Sequence, residues 1–226
     1  MKLVGLLGGT SWPSTIDYYR ILNELAQERL GGHHSANLLL RSIDYHEIKS
    51  RYYERWDEIP ALLEAELRAF AALGPACIVL CNNTLHKAYD AIAPRLALPM
   101  PLVHVVDATA RAAVARGAKR ILLLGTKFTM EDGFYHRGLE RHGLAVTTPG
   151  EADRVEIQRI QSRLARGEMR PEFRAFLAAL VGRYEADAVV LACTELPLAL
   201  SQADVDMPVV NPTESQCREA FAFATA

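Results

Sequence analysis

Apolar residues in this chain fall in short unbroken runs, and polar residues gather between them. Eight runs read as strands: 2–8, 36–42, 76–81, 101–106, 119–125, 143–147, 187–192 and 207–210. Their hydrophobicity is continuous rather than alternating, which suits strands covered on both faces, as in a parallel sheet. Segments with helical spacing separate them: 13–30, 57–73, 84–93, 107–116, 131–142, 151–166, 171–184 and 213–224. The first of these opens at Pro13-Ser14 and closes at Gly31-Gly32, residue types suited to those ends. Strand–helix–strand alternation predicts an α/β fold with right-handed crossovers.

The layout occurs twice. Strand 2–8 runs into "LGGT", ending at Thr10, and strand 119–125 runs into "LGT", ending at Thr126. Further on, "IVLCNNTLH" (78–86) and "VVLACTEL" (189–196) each carry an apolar run into a cysteine and then into hydrogen-bonding side chains. Thr10 and Cys81 are 71 residues apart, Thr126 and Cys193 67. This predicts two pseudo-symmetric lobes, each a mainly parallel sheet flanked by helices, spanning 1–102 plus 209–226 and 103–208. Ligands of open α/β sheets bind at the carboxyl ends of the strands. The active site is therefore expected in a cleft between the lobes, with Cys81 and Cys193 meeting across it.

Two opposed thiols suit one chemistry in particular. Inverting a carbon acid needs a base on one face and an acid on the other, and an ionised and a protonated thiol supply both. A free thiol's ordinary pKa of about 8.5 needs only a modest downward shift to give thiolate at neutral pH. Asn83, Thr84, Thr126 and Thr194 offer side-chain donors, and each Cys/Thr turn is expected to open a helix whose N–H groups hold a carboxylate or an enediolate. A carbon held between two sulfurs would set them roughly 7 Å apart, two near-attack distances.

Bulk properties remove other classes. The 226 residues suffice for a full core. A net charge of −2 gives no basic field for nucleic acid or an anionic membrane. No apolar run approaches the roughly 18–20 residues of a membrane span. The start "MKLVGLLGGTSW" breaks at Gly8-Gly9 too early for a secretion signal, so a cytoplasmic protein is expected. Four cysteines in such a chain do not predict a disulfide framework. Cys77 and Cys81 share a strand face but lie roughly 13 Å apart, too far to ligate one zinc. No metal is expected. The five lysines include none in a setting that suits a Schiff base, and "GLLGGTSWPST" lacks both the dinucleotide and the P-loop spacing, so no cofactor is expected either.

These residues resemble the aspartate/glutamate racemases that work without pyridoxal phosphate. "GLLGGTSWPSTIDYYRILNE", "LLLGTKFTMEDGFY" and the two cysteine motifs are similar to the family's broad-specificity branch, over nearly the whole chain. The resemblance implies a homodimer acting on a small amino-acid or dicarboxylate substrate, with Cys81 and Cys193 as acid/base thiols. It implies that Asn83, Thr84, Thr126 and Thr194 grip the α-carboxylate, with Thr10 and Ser11 at the other side of the cleft. Three positions depart from the family's pattern: Thr10 stands where methionine is common, Asn211 where aspartate is, and Gln216 where histidine is. No arginine–lysine pair for a side-chain carboxylate can be aligned, which leaves the substrate's side chain open.

Other residues carry two readings each. His86 either donates to the site or caps and packs. His104 fits a core or lobe-interface position, and Trp12, Tyr18 and Tyr19 fit the cleft, a dimer face or the core. Glu195 either orients the neighbouring thiol or pairs with a cation at the rim. Cys77 and Cys217 read as structural. A related enzyme using the same cysteines for cis–trans isomerisation or decarboxylation stays open, as does a non-catalytic binder of small carboxylates.

Overall fold

The computed structural model describes residues 1–52 and 54–226. In chain order the elements are β1 (Val4–Gly8), α1 (Trp12–Leu30), β2 (Leu38–Ser42), α2 (His46–Lys49), α3 (Ile59–Ala71), β3 (Cys77–Leu80), α4 (Leu85–Ile92), β4 (Leu102–Val103) and α5 (Val105–Ala115). They continue with β5 (Arg120–Gly125), α6 (Lys127–Glu131), α7 (Phe134–Glu140), β6 (Ala145–Thr147), α8 (Glu151–Leu164), α9 (Pro171–Val181), β7 (Ala188–Ala192), β8 (Val209–Val210) and α10 (Pro212–Thr225). The strands form two four-stranded parallel sheets, ordered β2-β1-β3-β4 and β6-β5-β7-β8. The fold is α/β, and the two sheets share one strand order.

The chain divides into two compact units, Met1–Val105 with Gln216–Ala226, and Val106–Ser215. Residues 209–215 group with the second unit rather than the first because β8 pairs with β7, Val189 opposite Val209 and Val190 opposite Val210. Residues 103–105 group with the first, where Val103 lies opposite Val79. The divisions thus fall a few residues beyond the expected 102/103 and 208/209.

In the first unit, alternation along the strands sorts side chains onto two faces. Val4, Leu6, Cys77, Val79 and Cys81 pack with Tyr18, Leu22, Cys217 and Phe221 of α1 and α10. Leu7, Ile78 and Leu80 pack on the opposite face with Ile59, Leu63, Phe70 and Leu85 of α3 and α4. In the second unit Leu122, Leu124, Val189, Leu191 and Cys193 share a face against Ile157, Ile160, Phe173 and Leu177 of α8 and α9. Both cysteines of interest are thus the last residues of a core-facing row.

Several elements differ from the sequence expectation, among them the short helix α2 at His46–Lys49, which was not expected. The run 101–106 yields only a two-residue strand, because α5 begins at Val105 and turns the remaining apolar residues into helix. Periodicity alone does not separate a buried strand from a buried helix start. The expected helix 131–142 is shorter, α7 at Phe134–Glu140, separated by Gly133 at φ 83° from a preceding helix, α6, that was not expected. Among the described residues, no helix is long and apolar enough to cross a membrane.

Candidate active site

Each unit carries its own cluster of candidate residues at the carboxyl edge of its sheet. In the first, β1 ends in Gly8-Gly9. A Cβ on Gly8 would lie 2.4 Å from Thr15 Cγ2, and one on Gly9, at φ +86°, would lie 2.2 Å from the Ile43 carbonyl oxygen. Only glycine lets the turn close this tightly. The turn is stitched to the end of β3: Thr10 Oγ1 donates to the Cys81 carbonyl at 3.0 Å, and Asn82 Nδ2 donates to the Thr10 carbonyl at 3.2 Å. Ser11, which caps α1, holds φ 118°, a left-handed conformation that is strained for a residue with a Cβ. Its carbonyl accepts from Ser14 Oγ and Thr15 Oγ1.

Cys81 is fully buried. Its amide donates to the Leu7 carbonyl, and its thiol has only a long contact, 3.9 Å, to the Val79 carbonyl. Asn83 and Thr84 follow, both buried. Asn83 Oδ1 has no hydrogen-bond partner although the residue is only 8% exposed, a cost that a ligand donor would relieve. Thr84 caps α4, and its side chain and that of Asn82 hydrogen-bond with the Tyr52 hydroxyl, which accepts from Tyr45 Oη at 2.5 Å.

The second half repeats the plan with different partners. Gly125 ends β5, and a Cβ there would lie 3.1 Å from the Ala192 carbonyl oxygen and from Thr129. Thr126 Oγ1 caps α6 by accepting from the Thr129 amide at 3.1 Å. Cys193 is buried and follows β7 directly. Its Sγ donates to Glu195 Oε2 at 2.9 Å; Thr194 Oγ1 donates to the same oxygen at 3.0 Å and Gln161 Nε2 at 3.4 Å. Glu195 thus lies beside the thiol, the contact that the first of its two sequence readings requires.

Two expectations about these thiols are corrected. Neither is acidified. Burial pushes the Cys81 thiol far above its ordinary value, and Cys193 is pushed up by burial and by the adjoining Glu195 charge. Nor does each Cys/Thr turn open a helix: Thr84 leads into α4, but Cys193-Thr194 leads only into a three-residue 3-10 turn, Leu196–Leu198. A helix dipole is thus available at one half and not at the other.

The remaining candidates separate. Tyr18 is core, whereas Trp12 (68% exposed) and Tyr19 (53%) lie on the surface. Cys77 sits in the sheet centre with its thiol pushed up to about 11 by burial. Asn211 caps α10, its Oδ1 accepting from the Thr213 amide at 3.0 Å. His104 lies 3.2 Å from Asp90 and edge-on to His86. Tyr52, backed by Tyr45, and Gln161 touch site residues without having been foreseen. No spacing marks them, because tertiary packing alone brings them to Asn82, Thr84 and Glu195. Among the described residues, no group of three or more His, Cys, Asp or Glu is arranged to hold a metal.

Comparison with known proteins agrees with this plan. The profile of the Asp/Glu/Hydantoin racemase family matches residues 7–220. A broad specificity amino-acid racemase of Bacillus subtilis (strain 168), RacX, is 25% identical over 76% of this chain and 70% of its own length. Crystal structures of a candidate Asp/Glu racemase from Yersinia pestis (36% identical, TM-score 0.91) and of an aspartate racemase homologue from Pyrococcus horikoshii OT3 (32%, TM-score 0.89) superpose over the whole of both chains. The chain belongs to the Asp/Glu/Hydantoin racemase family, and that membership supports a racemase function.

Proposed function

We propose that this chain is a cofactor-independent amino-acid racemase in which Cys81 and Cys193 work on opposite faces of one α-carbon. One observation carries the reading. Both sheets, in the same strand order, place a cysteine directly after the third strand of the unit and a Gly-Thr turn after the first. Chemistry that needs an acid and a base in mirrored positions fits such a duplication.

The step balances without a co-reactant. One thiolate takes the α-proton, breaking C–H and forming S–H. The other thiol gives its proton to the opposite face, breaking S–H and forming C–H. Because burial keeps both thiols protonated at rest, a thiolate must form as substrate enters. Glu195 Oε2, already accepting from Cys193, is the acceptor at hand, and a substrate ammonium favours the resulting thiolate. Asn83 Oδ1 suits that ammonium as an acceptor, while Thr84 and the start of α4 suit the α-carboxylate. Ser11, Thr126 and Thr194 complete the substrate contacts. The Thr10 hydroxyl, spent on the Cys81 carbonyl, acts by holding that loop. Four unbridged cysteines fit a reducing, cytoplasmic compartment, and family resemblance implies a homodimer, which light scattering reads directly.

The test is a panel of L- and D-amino acids incubated in deuterium oxide, scored for α-hydrogen exchange and inversion. We expect both, with exchange tracking inversion. Carbon dioxide release would assign a decarboxylase, and saturable binding without exchange would assign a carboxylate binder.

A further inference from the structure

A buried polar network behind Cys81 is engaged by none of these steps. Tyr18 Oη donates to Gln216 Oε1 at 2.8 Å; Gln216 Nε2 donates to the Val103 carbonyl at 2.6 Å and lies 3.4 Å from His86 Nε2; His86 Nδ1 lies 2.7 Å from the Asn82 carbonyl. His86 and Gln216 are both fully buried, from α4 and α10, and all five residues of the network belong to the first unit.

The Val103 and Asn82 carbonyls set one donor each. Val103 O can only accept, so the amide end facing it is the NH2 of Gln216. The second hydrogen of that NH2 points at His86 Nε2, which must offer a lone pair. The imidazole proton is then on Nδ1, where the Asn82 carbonyl requires a donor. A proton on Nε2 would meet the Gln216 N–H head-on, so the Gln216 contact favours the Nδ1–H tautomer of the neutral imidazole. Burial, with His104 alongside, pushes the ring well below its ordinary pKa, outweighing the Asn82, Val103 and Asn83 carbonyls, which favour the charged form.

We propose that Gln216 and His86 form a positioning pair for Cys81: Gln216 holds His86 as the Nδ1–H tautomer, and His86 holds the Asn82 carbonyl. Asn82 directly follows Cys81. Its side chain is pinned at both ends, Nδ2 on the Thr10 carbonyl and Oδ1 accepting from the Leu85 amide at 2.8 Å. His86 fixes the remaining degree of freedom, the 82–83 peptide plane. A planar peptide with its C=O on His86 turns the Asn83 N–H away from the ring. Loss of the pair lets that plane rotate, and with it the thiol and the Asn83 side chain. The proposal rests on the racemase reading for its kinetic consequence but not for the tautomer itself.

The test uses the full chain, labelled with 15N-histidine, together with Gln216→Met, Gln216→Glu, His86→Asn and His86→Leu. Imidazole nitrogen shifts should show His86 as the neutral Nδ1–H form in the wild type. They should show mixed tautomers in Gln216→Met and imidazolium in Gln216→Glu, where a carboxylate replaces the N–H donor. An Asn amide can occupy the place of imidazole Nδ1–H, so His86→Asn should keep kcat within about threefold. His86→Leu should lose about 10- to 100-fold in kcat, the scale of an ångström-level misplacement of a catalytic group. An Nε2–H tautomer in the wild type, or wild-type kcat in both His86→Leu and Gln216→Met, overturns the proposal. A wild type with the expected tautomer but no α-hydrogen exchange from any amino acid would instead defeat the racemase reading. The pair would then stand or fall on whether His86→Leu alone changes the alkylation rate of Cys81.

Discussion

The Cys193 thiol donates to Glu195 Oε2 at 2.9 Å, whereas Cys81 has no comparably close acceptor, its thiol only 3.9 Å from the Val79 carbonyl. The two halves share a plan but differ in the proton acceptor beside the sulfur. Removing the carboxylate charge with Glu195→Gln should lower the Cys193 pKa, since that charge pushes it up, yet also remove the proton acceptor. We expect kcat to fall about 10²- to 10³-fold for substrates deprotonated by Cys193, within the usual range for a general base's partner. Isotope exchange measured separately from each enantiomer checks this: equal losses from both would refute the asymmetry.

Replacing either thiol should stop turnover while sparing half the exchange. Cys81→Ser and Cys193→Ser are expected to abolish racemisation in both directions, with residual α-hydrogen exchange from opposite enantiomers. Cys77→Ser should leave turnover nearly unchanged, because Cys77 opens β3 opposite Val4, buried at the amino end of the strand and one strand length from Cys81. Full activity in Cys81→Ser would end the assignment.

Ser11 separates backbone strain from hydroxyl chemistry. At φ 118° a glycine is relieved of strain that serine and alanine bear. Ser11→Gly should stabilise the fold by about 1 kcal/mol, and Ser11→Ala should not. If the hydroxyl contacts substrate, both variants raise KM alike. Denaturant midpoints and KM values on the two proteins decide it.

Tyr52→Phe removes a buried hydroxyl that serves Tyr45, Thr84 and Asn82 together. The loss leaves those groups short of a partner and should cost about 1–3 kcal/mol. KM should rise more than kcat falls, since Thr84 is a proposed carboxylate contact rather than an acid or base. An unchanged KM would show that the tyrosine pair serves stability alone.

Asp187 offers a pH test remote from the site. It accepts from the Lys119 and Arg120 amides and pairs with the Arg120 guanidinium, which hold its carboxyl down from 3.8 to about 2. A depressed carboxyl lends stability that is complete above 3.8 and disappears as the pH falls toward 2. Asp187→Asn should lower Tm at neutral pH and flatten its decline across that window. An unchanged acid slope would remove Asp187 from the account.

The positions of the strands along the chain and both cysteine turns were legible because burial on two faces leaves an unmistakable continuous apolar run, and because the plan is written twice. The two-residue β4 was not, since Val105 and Val106 suit a helix start as well as a strand. The state of the thiols was not legible either. Their pKa is set by burial and by Glu195's rotamer, neither of which spacing encodes. Tyr52 and Gln161 reach the site from segments whose sequence carries no mark of it, and Gln216's role emerges only once Tyr18, Val103 and His86 surround it.

Keeping Cys81 and Cys193 protonated at rest has a second effect. Peroxide and other oxidants attack thiolates far faster than thiols, and only where they can reach the sulfur. With both sulfurs buried and neutral, the empty protein should resist sulfenic acid formation, and it should become sensitive only while a ligand draws out a thiolate. The same burial that delays ionisation thus works as an antioxidant shield.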